Sequence, residues 1–413
     1  MARSDSGPKD TSAPAAFLPY GRQWIEDDDI AAVTAVLRSD LLTYGPKMAA
    51  FEADLAALVG ASEAAACSNG TSALHLALAG LGIGPGDVCI VPAMTFLSTA
   101  TAARFCGADV VFADVDPVSG LMTAGTLSAA IDRAGPRAKA VLPVHLAGRA
   151  CDMDALAPLA RAEGLKIVED ACHALGTVTP GGAVGGCRLS DASVFSFHGV
   201  KTIAAGEGGM VATNDADLAA RIRRLRNHGV THDPALMTDP ELSLDAAGER
   251  NPWSYEQLEL GFNYRMTEIA AALGASQLAK LPRFKARRQA LSALYDQRLE
   301  SLAGKVRPVP TPPDQDPCLH LYVVHLLGDL APRRAAIMRG LAARGIGTQV
   351  HYIPMYRHPY FVRTYGAMRL PGAEAYYAGA LALPLFPAMA DSDVDRVVAA
   401  LVSVLGEVSC GGG

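Results

Sequence analysis

The chain has 413 residues, half of them hydrophobic and 19% charged, with a formal net charge of -6. That length allows two domains with large cores, and that composition excludes a disordered chain. The negative balance gives no electrostatic footing for nucleic acid or an anionic membrane. No apolar run reaches the roughly 18–20 residues needed to span a bilayer.

Residues 1–16 (MARSDSGPKDTSAPAA) are small, polar and proline-containing. They lack the apolar centre of a signal peptide and read as a disordered leader. Residues 409–413 read as a frayed tail. The eight cysteines (67, 89, 106, 151, 172, 187, 318 and 410) form no CxxC pair, and several sit inside apolar runs. They read as reduced, buried thiols of a cytoplasmic protein, and their spacing supports no metal site.

Leu18 to Gln23 is an extended lead-in. Asp27–Arg38 reads as a helix, with acids at its start and an apolar stripe of Ile30, Val33 and Leu37. Lys47–Val59 is a second helix, closed by Gly60. Strands and helices then alternate. The strands are Ala64–Cys67, Val88–Val91, Asp109–Ala113, Ala140–Val144, Lys166–Val168, Val194–Phe197 and Met210–Thr213. The helices between them are Ser72–Leu81, Leu97–Phe105, Leu127–Ala134 and Met153–Glu163. This rhythm predicts an α/β protein with a seven-stranded, mostly parallel sheet and helices on both faces.

Leu218–Asn227 is a helix whose arginines (221, 223, 224 and 226) read as a solvated face. Residues 230–258 form a long polar loop or lid. Thr267–Leu281 is an amphipathic helix, broken by Pro282, and Lys285–Leu299 is a long helix after it. Residues 307–317 carry five prolines and read as a connector. A small C-terminal α/β domain follows, with strands Leu319–Leu326 and Thr348–Tyr352, helix Ala331–Arg344, and helices from 373 and 391. The expected division is a leader (1–16), a large domain (17–282), a small domain (283–408) and a tail (409–413).

Three stretches carry chemistry. Ser68-Asn69-Gly70-Thr71-Ser72 opens a helix, and is either an ordinary N-cap or a phosphate site built from backbone N–H groups and hydroxyls. Lys166-Ile167-Val168-Glu169-Asp170 is an apolar strand ending in two acids, at the edge where open α/β sheets bind ligands. Strand alternation sends Glu169 and Asp170 to opposite faces. Asp170 is either a cap or the partner of a cationic ring nitrogen such as the pyridinium of pyridoxal phosphate (PLP). Lys201 lies on a turn just after the next long strand. There it can act as an amine nucleophile of depressed pKa. An acid on one strand end and a lysine beyond the next is the arrangement PLP enzymes use. Ser196 is placed to hold the phosphate, and Phe96 either stacks on the ring or belongs to the core.

The segments SNGTSALHLAL, PAMTF, VEDACHALG, FSFHGVKT with GEGG, and GFNYRMTEIAAALG occur in that order. Together they resemble the motifs of the DegT/StrS family of nucleotide-sugar aminotransferases, PLP enzymes of fold type I, over residues 18 to 405. The resemblance implies that Lys201 is the Schiff-base lysine and that Asp170 pairs with the pyridine nitrogen. Gly70, Thr71, Ser72 and Ser196 would hold the phosphate, Phe96 would stack on the ring, and His173 would sit beside the cofactor or serve as a structural histidine. Asn263 would reach the phosphate of the other subunit of a homodimer. Arg265, His351 and Tyr352 would contact substrate.

Within the family, LPYGRQ, PVHLAGRACDM, WSYEQLELGFNYR, TQVHYIP and AEAYYAGALALPLFP resemble enzymes of the pseudaminic acid pathway. These aminate C4 of a UDP-linked 4-keto-6-deoxy-HexNAc sugar, with glutamate as the expected donor. Amination at C3 or C4 of another TDP- or GDP-linked keto sugar is the alternative. A PLP sugar dehydratase would carry histidine in place of Lys201. A silent sugar-binding paralogue would not need the Asp170–Lys201 pair. A transcription regulator would need a DNA-binding module for which the leader is too short. Two departures stand out. Gly199 replaces the usual proline, implying a looser turn, and Ala204-Ala205 replaces hydroxyl residues before GEGG.

Overall fold

The computed structural model describes residues 16–410. The expected leader, apart from Ala16, and residues 411–413 of the expected tail lie outside that range. The last helix runs to Cys410.

Seven strands form the central sheet: β1 (Glu63–Cys67), β2 (Val88–Pro92), β3 (Asp109–Ala113), β4 (Ala138–Val141), β5 (Lys166–Asp170), β6 (Ala192–Ser196) and β7 (Gly209–Thr213). Their order is β1-β7-β6-β5-β4-β2-β3. The pairs β2–β3, β2–β4, β4–β5 and β5–β6 are parallel. Only β7 runs against its neighbours, β1 and β6. The expected largely parallel sheet of seven strands is formed.

Its two faces follow from period-two alternation. Val194 and Val211 enter a cluster with Leu74, Leu76 and Leu78 of helix α3 (Gly70–Gly80). Their chain neighbours Phe195 and Met210 enter a second cluster with Phe51 and Leu55 of helix α2 (Pro46–Val59). Phe51 and Phe195 are fully buried. Each such aromatic contributes about 2–3 kcal/mol of transfer free energy. Helix α2 starts on Pro46 and ends on Gly60 in the left-handed region at φ 76°. Helix α1 (Asp27–Leu37) opens with a capping box in which Glu26 and Asp29 satisfy each other's backbone.

A second, three-stranded antiparallel sheet joins β8 (Val306–Pro308), β9 (Tyr322–Leu326) and β10 (Ala380–Leu383). It has its own core, including Leu291 and Tyr295 of the long helix Leu281–Leu299 and Val397 and Leu401 of the last helix. The expected division at 282/283 falls in the first turn of that long helix, where Pro282 needs no hydrogen-bond acceptor.

Three local expectations are corrected. The strand expected at Thr348–Tyr352 is absent apart from one bridge between Gln349 and Ala382, because this segment turns along a cavity wall. The proline-rich connector contributes β8 at its start. The arginine face is not simply solvated. Arg226 is buried against Glu52, Arg221 and Arg224 share Glu259, and Arg223 pairs with Glu63 at 2.7 Å. Among the described residues, no helix is long and apolar enough to cross a membrane.

Candidate active site

The site forms where the parallel strands end, the edge at which open α/β sheets bind ligands. Helix α3 begins there. Asn69 is its N-cap, and its side chain accepts the Ser72 N–H at 2.8 Å. The N–H groups of Gly70 and Thr71 have no partner among the described residues and lie at the positive end of the helix dipole. A Cβ on Gly70 would lie 2.8 Å from Ser196 Cβ, so glycine lets the end of β6 close on the helix start. A Cβ on Gly209 would come within 2.2 Å of the Asn69 carbonyl oxygen, which explains the last glycine of the GEGG turn. Thr71 and Ser98 hydroxyls lie 2.6 Å apart beside this cup. The Ser72 hydroxyl is already engaged by Ser68 and Asn69. The cup can take an anion.

The strand-end acids part as alternation requires. Asp170 faces a cavity of about 910 Å³ that Lys201 also lines. Its Oδ2 accepts the Thr99 hydroxyl at 2.7 Å, and its Oδ1 accepts the Cys172 N–H at 3.2 Å. No salt bridge reaches it among the described residues. Glu169 faces the other way and binds buried His145 and Ser190.

Lys201 follows a turn closed by its own N–H, which donates to the His198 carbonyl at 2.8 Å. A Cβ on Gly199 would find nothing nearer than Gln23 Oε1 at 3.9 Å, so that turn does not require glycine. Burial pushes the Lys201 ammonium below the usual lysine range, and the neighbouring Cys172 and Asp170 only partly offset this. A larger share of neutral amine is the result, which is what a nucleophile or base needs.

His173 lines the same cavity. Its Nδ1 accepts the Ala147 N–H at 3.3 Å, and its Nε2 lies 3.1 Å from Tyr352 Oη. Burial, then the nearby Lys201 charge, pushes it well below the usual histidine range. His351 is pushed to about 3 by the same two causes. Phe96 is not core: it is 52% exposed on the cavity wall, with its ring 5.8 Å from that of Tyr352.

The cavity thus gathers Gly70, Thr71, Ser72, Phe96, Asp170, His173, Ser196, Lys201, His351 and Tyr352. It does not gather Asn263, which is exposed and bridges to Asn227, or Arg265, which donates to Asn227 at 2.7 Å and stacks over Tyr44. Sequence reasoning missed Thr99 and His320. Thr95, two residues before helix Leu97–Phe105, and Thr99 in its first turn stand four apart with their hydroxyls 2.6 Å from each other, and that spacing was the available signal. Nothing in the sequence marked His320, whose ring lies 4.5 Å from that of His173.

Residues 23–402 match the DegT/DnrJ/EryC1/StrS aminotransferase family. The chain is 38% identical over 393 residues to the spore coat polysaccharide biosynthesis protein SpsC of Bacillus subtilis (strain 168), covering 94% of this chain and 97% of that one. Its structure is similar to that of Helicobacter pylori PseC, an aminotransferase involved in the biosynthesis of pseudoaminic acid. The TM-score is 0.85 at 27% identity, over 95% of this chain and 100% of that one. It is also similar to Spr1654 of Streptococcus pneumoniae, solved in PLP and PMP forms; against the PMP form the TM-score is 0.85 at 28% identity, over 95% of this chain and 99% of that one. A lysine of depressed pKa, an unpaired strand-end carboxylate and an anion cup in one cavity suit the cofactor of that family, and the chain belongs to the DegT/DnrJ/EryC1/StrS aminotransferases, PLP-dependent enzymes of the transaminase class.

Proposed function

We propose that the enzyme aminates C4 of a nucleotide-linked 4-keto-6-deoxy sugar, a UDP-linked HexNAc, with glutamate as amino donor. The observation that carries the reading is the joint placement of Lys201, Asp170 and the α3 cup around one cavity. Its volume, about 910 Å³, lies near the top of the range for small-molecule sites and leaves room for a large substrate beside a cofactor.

When bound, PLP supplies an electron sink for the carbon that gains or loses the amine. The chain's own groups do the rest. Gly70 and Thr71 N–H groups, with the Thr71 and Ser196 hydroxyls, would hold its phosphate; Ser72 supports the cup from behind. Asp170, held by Thr99, would keep the ring nitrogen protonated, and Phe96 would cover the ring. Lys201 would hold the cofactor covalently and, once displaced, carry a proton to and from the reacting carbon as general base and acid.

Asn263 is assigned to the site of a second copy. Support comes from the exposure of Asn263 and from its lying outside its own chain's cavity. A homodimer with shared sites is the assembly this implies, and a cytoplasmic location suits nucleotide-sugar substrates.

The test uses enzyme loaded with pyridoxamine phosphate and a panel of UDP-, TDP- and GDP-linked 3-keto and 4-keto sugars. Recovery of the lysine-bound cofactor's absorbance is followed for each. The UDP-linked 4-keto-6-deoxy-HexNAc is expected to react fastest. Faster reaction of a 3-keto sugar, or of a TDP- or GDP-linked one, would overturn the substrate assignment.

A further inference from the structure

The loop after β4 contains an unusual turn. Ala147 lies in the left-handed region at φ 61°, and Gly148 follows at φ 98°. A Cβ on Gly148 would sit 2.4 Å from the Cys318 carbonyl oxygen, so the loop is pressed against the 318–320 segment. The turn sends the Ala147 N–H to His173 Nδ1 and offers the Ala147 carbonyl to the His320 N–H at 3.0 Å. A left-handed non-glycine residue costs about 1 kcal/mol or more, so the surrounding packing must hold this geometry.

The chemistry that follows is directional. A backbone N–H can only donate, so Nδ1 of His173 must accept. In a neutral imidazole the ring proton then sits on Nε2. That proton is donated to Tyr352 Oη, 3.1 Å away. Once the phenol oxygen accepts there, its own proton is free to donate elsewhere. Among the described residues, Oη has no second partner. Tyr352 lines the cavity with Lys201, its ring against Phe96. Burial, reinforced by the Asp170 charge, raises the phenol well above its ordinary range and keeps it protonated. The His320 ring, tilted by 44° with its centroid 4.5 Å away, packs against the imidazole.

We propose that Tyr352 is a fixed hydrogen-bond donor to the carbonyl oxygen of the keto sugar, locked in that role by the relay Ala147 N–H to His173 to Tyr352. The inference rests on the aminotransferase reading above. It makes Tyr352 a catalytic residue, and His173 and Ala147 positioning residues that act through it. The donor would orient and polarise the ketone as the sugar enters; in the amino-donor half-reaction a ketone stands at that position only at the last step, as the keto acid leaves.

Two measurements test it on the PLP-loaded enzyme. Nitrogen-15 NMR of histidine-labelled protein, with His173→Gln to assign the signal, should show His173 protonated on Nε2 and bare on Nδ1 at pH 7. An Nδ1–H tautomer or an imidazolium there would overturn the relay. In Tyr352→Phe, the keto-sugar half-reaction should slow by about 10²-fold, the effect of losing one oriented donor. The amino-donor half-reaction should lose at least about tenfold less. Equal losses in both halves, or no loss in either, would refute the donor role. Failure of unmodified protein to take up PLP would instead sink the reading of the site on which this rests.

Discussion

Glu169 and Asp170 are neighbours on β5, both buried, and they do opposite things. Glu169 has both of its oxygens engaged within the protein. One oxygen takes His145 Nε2 at 2.7 Å and the other takes the Ser190 hydroxyl. The Cys151 N–H donates to His145 Nδ1 at 3.0 Å, so that ring also has both nitrogens satisfied. Asp170 has only a hydroxyl and an N–H, with no cation bonded to it among the described residues. A buried carboxylate needs a compensating charge or donor. Glu169 finds its full set inside the fold, whereas Asp170 turns its carboxyl group toward the cavity that Lys201 lines. Completeness of the internal partners separates a structural acid from a functional one here, although the two share a strand and a burial class.

That contrast can be broken by mutation. The largest effect is expected for Asp170→Asn, which keeps the size and the Thr99 contact but removes the charge. Turnover should fall about 10³-fold, while the thermal midpoint stays near that of the parent. A large loss of thermal stability without loss of turnover per folded molecule would reverse the two roles. Glu169→Ala should show the converse. It leaves His145 and Ser190 unpartnered and should cost about 3 kcal/mol of stability by denaturant titration, with turnover per folded molecule kept within a few-fold.

The same residue gives a pH signature. Burial pushes Glu169 up, but the hydrogen bonds of His145 and Ser190 outweigh it and hold the carboxyl below the ordinary value of 4.5. A depressed folded-state pKa contributes stability above that value and loses it as the pH falls through the folded one. Acid unfolding of the parent should therefore steepen below about pH 4.5, and that part of the slope should vanish in Glu169→Ala. The smallest effect is expected for Thr99→Val. Loss of one hydroxyl bond to a carboxylate is worth about 1.5 kcal/mol, so PLP affinity should drop about tenfold, read by equilibrium dialysis. Unchanged affinity would mean that Thr99 does not hold Asp170 for the cofactor.

Much of this was legible in the residues. Apolar strands alternating with helices of about ten residues give a sheet with two covered faces, and Val194 and Phe195 fall on opposite faces as period two requires. Glu169 and Asp170 could be separated by the same rule. Other features were not legible. The segment Gln349–Ile353 has a strand's composition, but its backbone follows the cavity wall and pairs only once. The strand Ala380–Leu383 was hidden because it is only four residues long and follows helix Pro371–Gly379 with no connecting residue. Arg226 read as a surface charge, because local pattern carries no information about Glu52, 174 residues away in the chain. The relay through His173 needed a left-handed backbone at Ala147, and alanine gives no sign of that in sequence.

The central claim is that Lys201 is the residue that holds the cofactor. Borohydride reduction of the PLP-loaded enzyme, followed by peptide mapping by mass spectrometry, tests it most directly. The account predicts one phosphopyridoxyl adduct, on the peptide containing Lys201, and none on that peptide in Lys201→Ala. An adduct fixed to any other lysine, or an unmodified Lys201 in fully loaded enzyme, would contradict it.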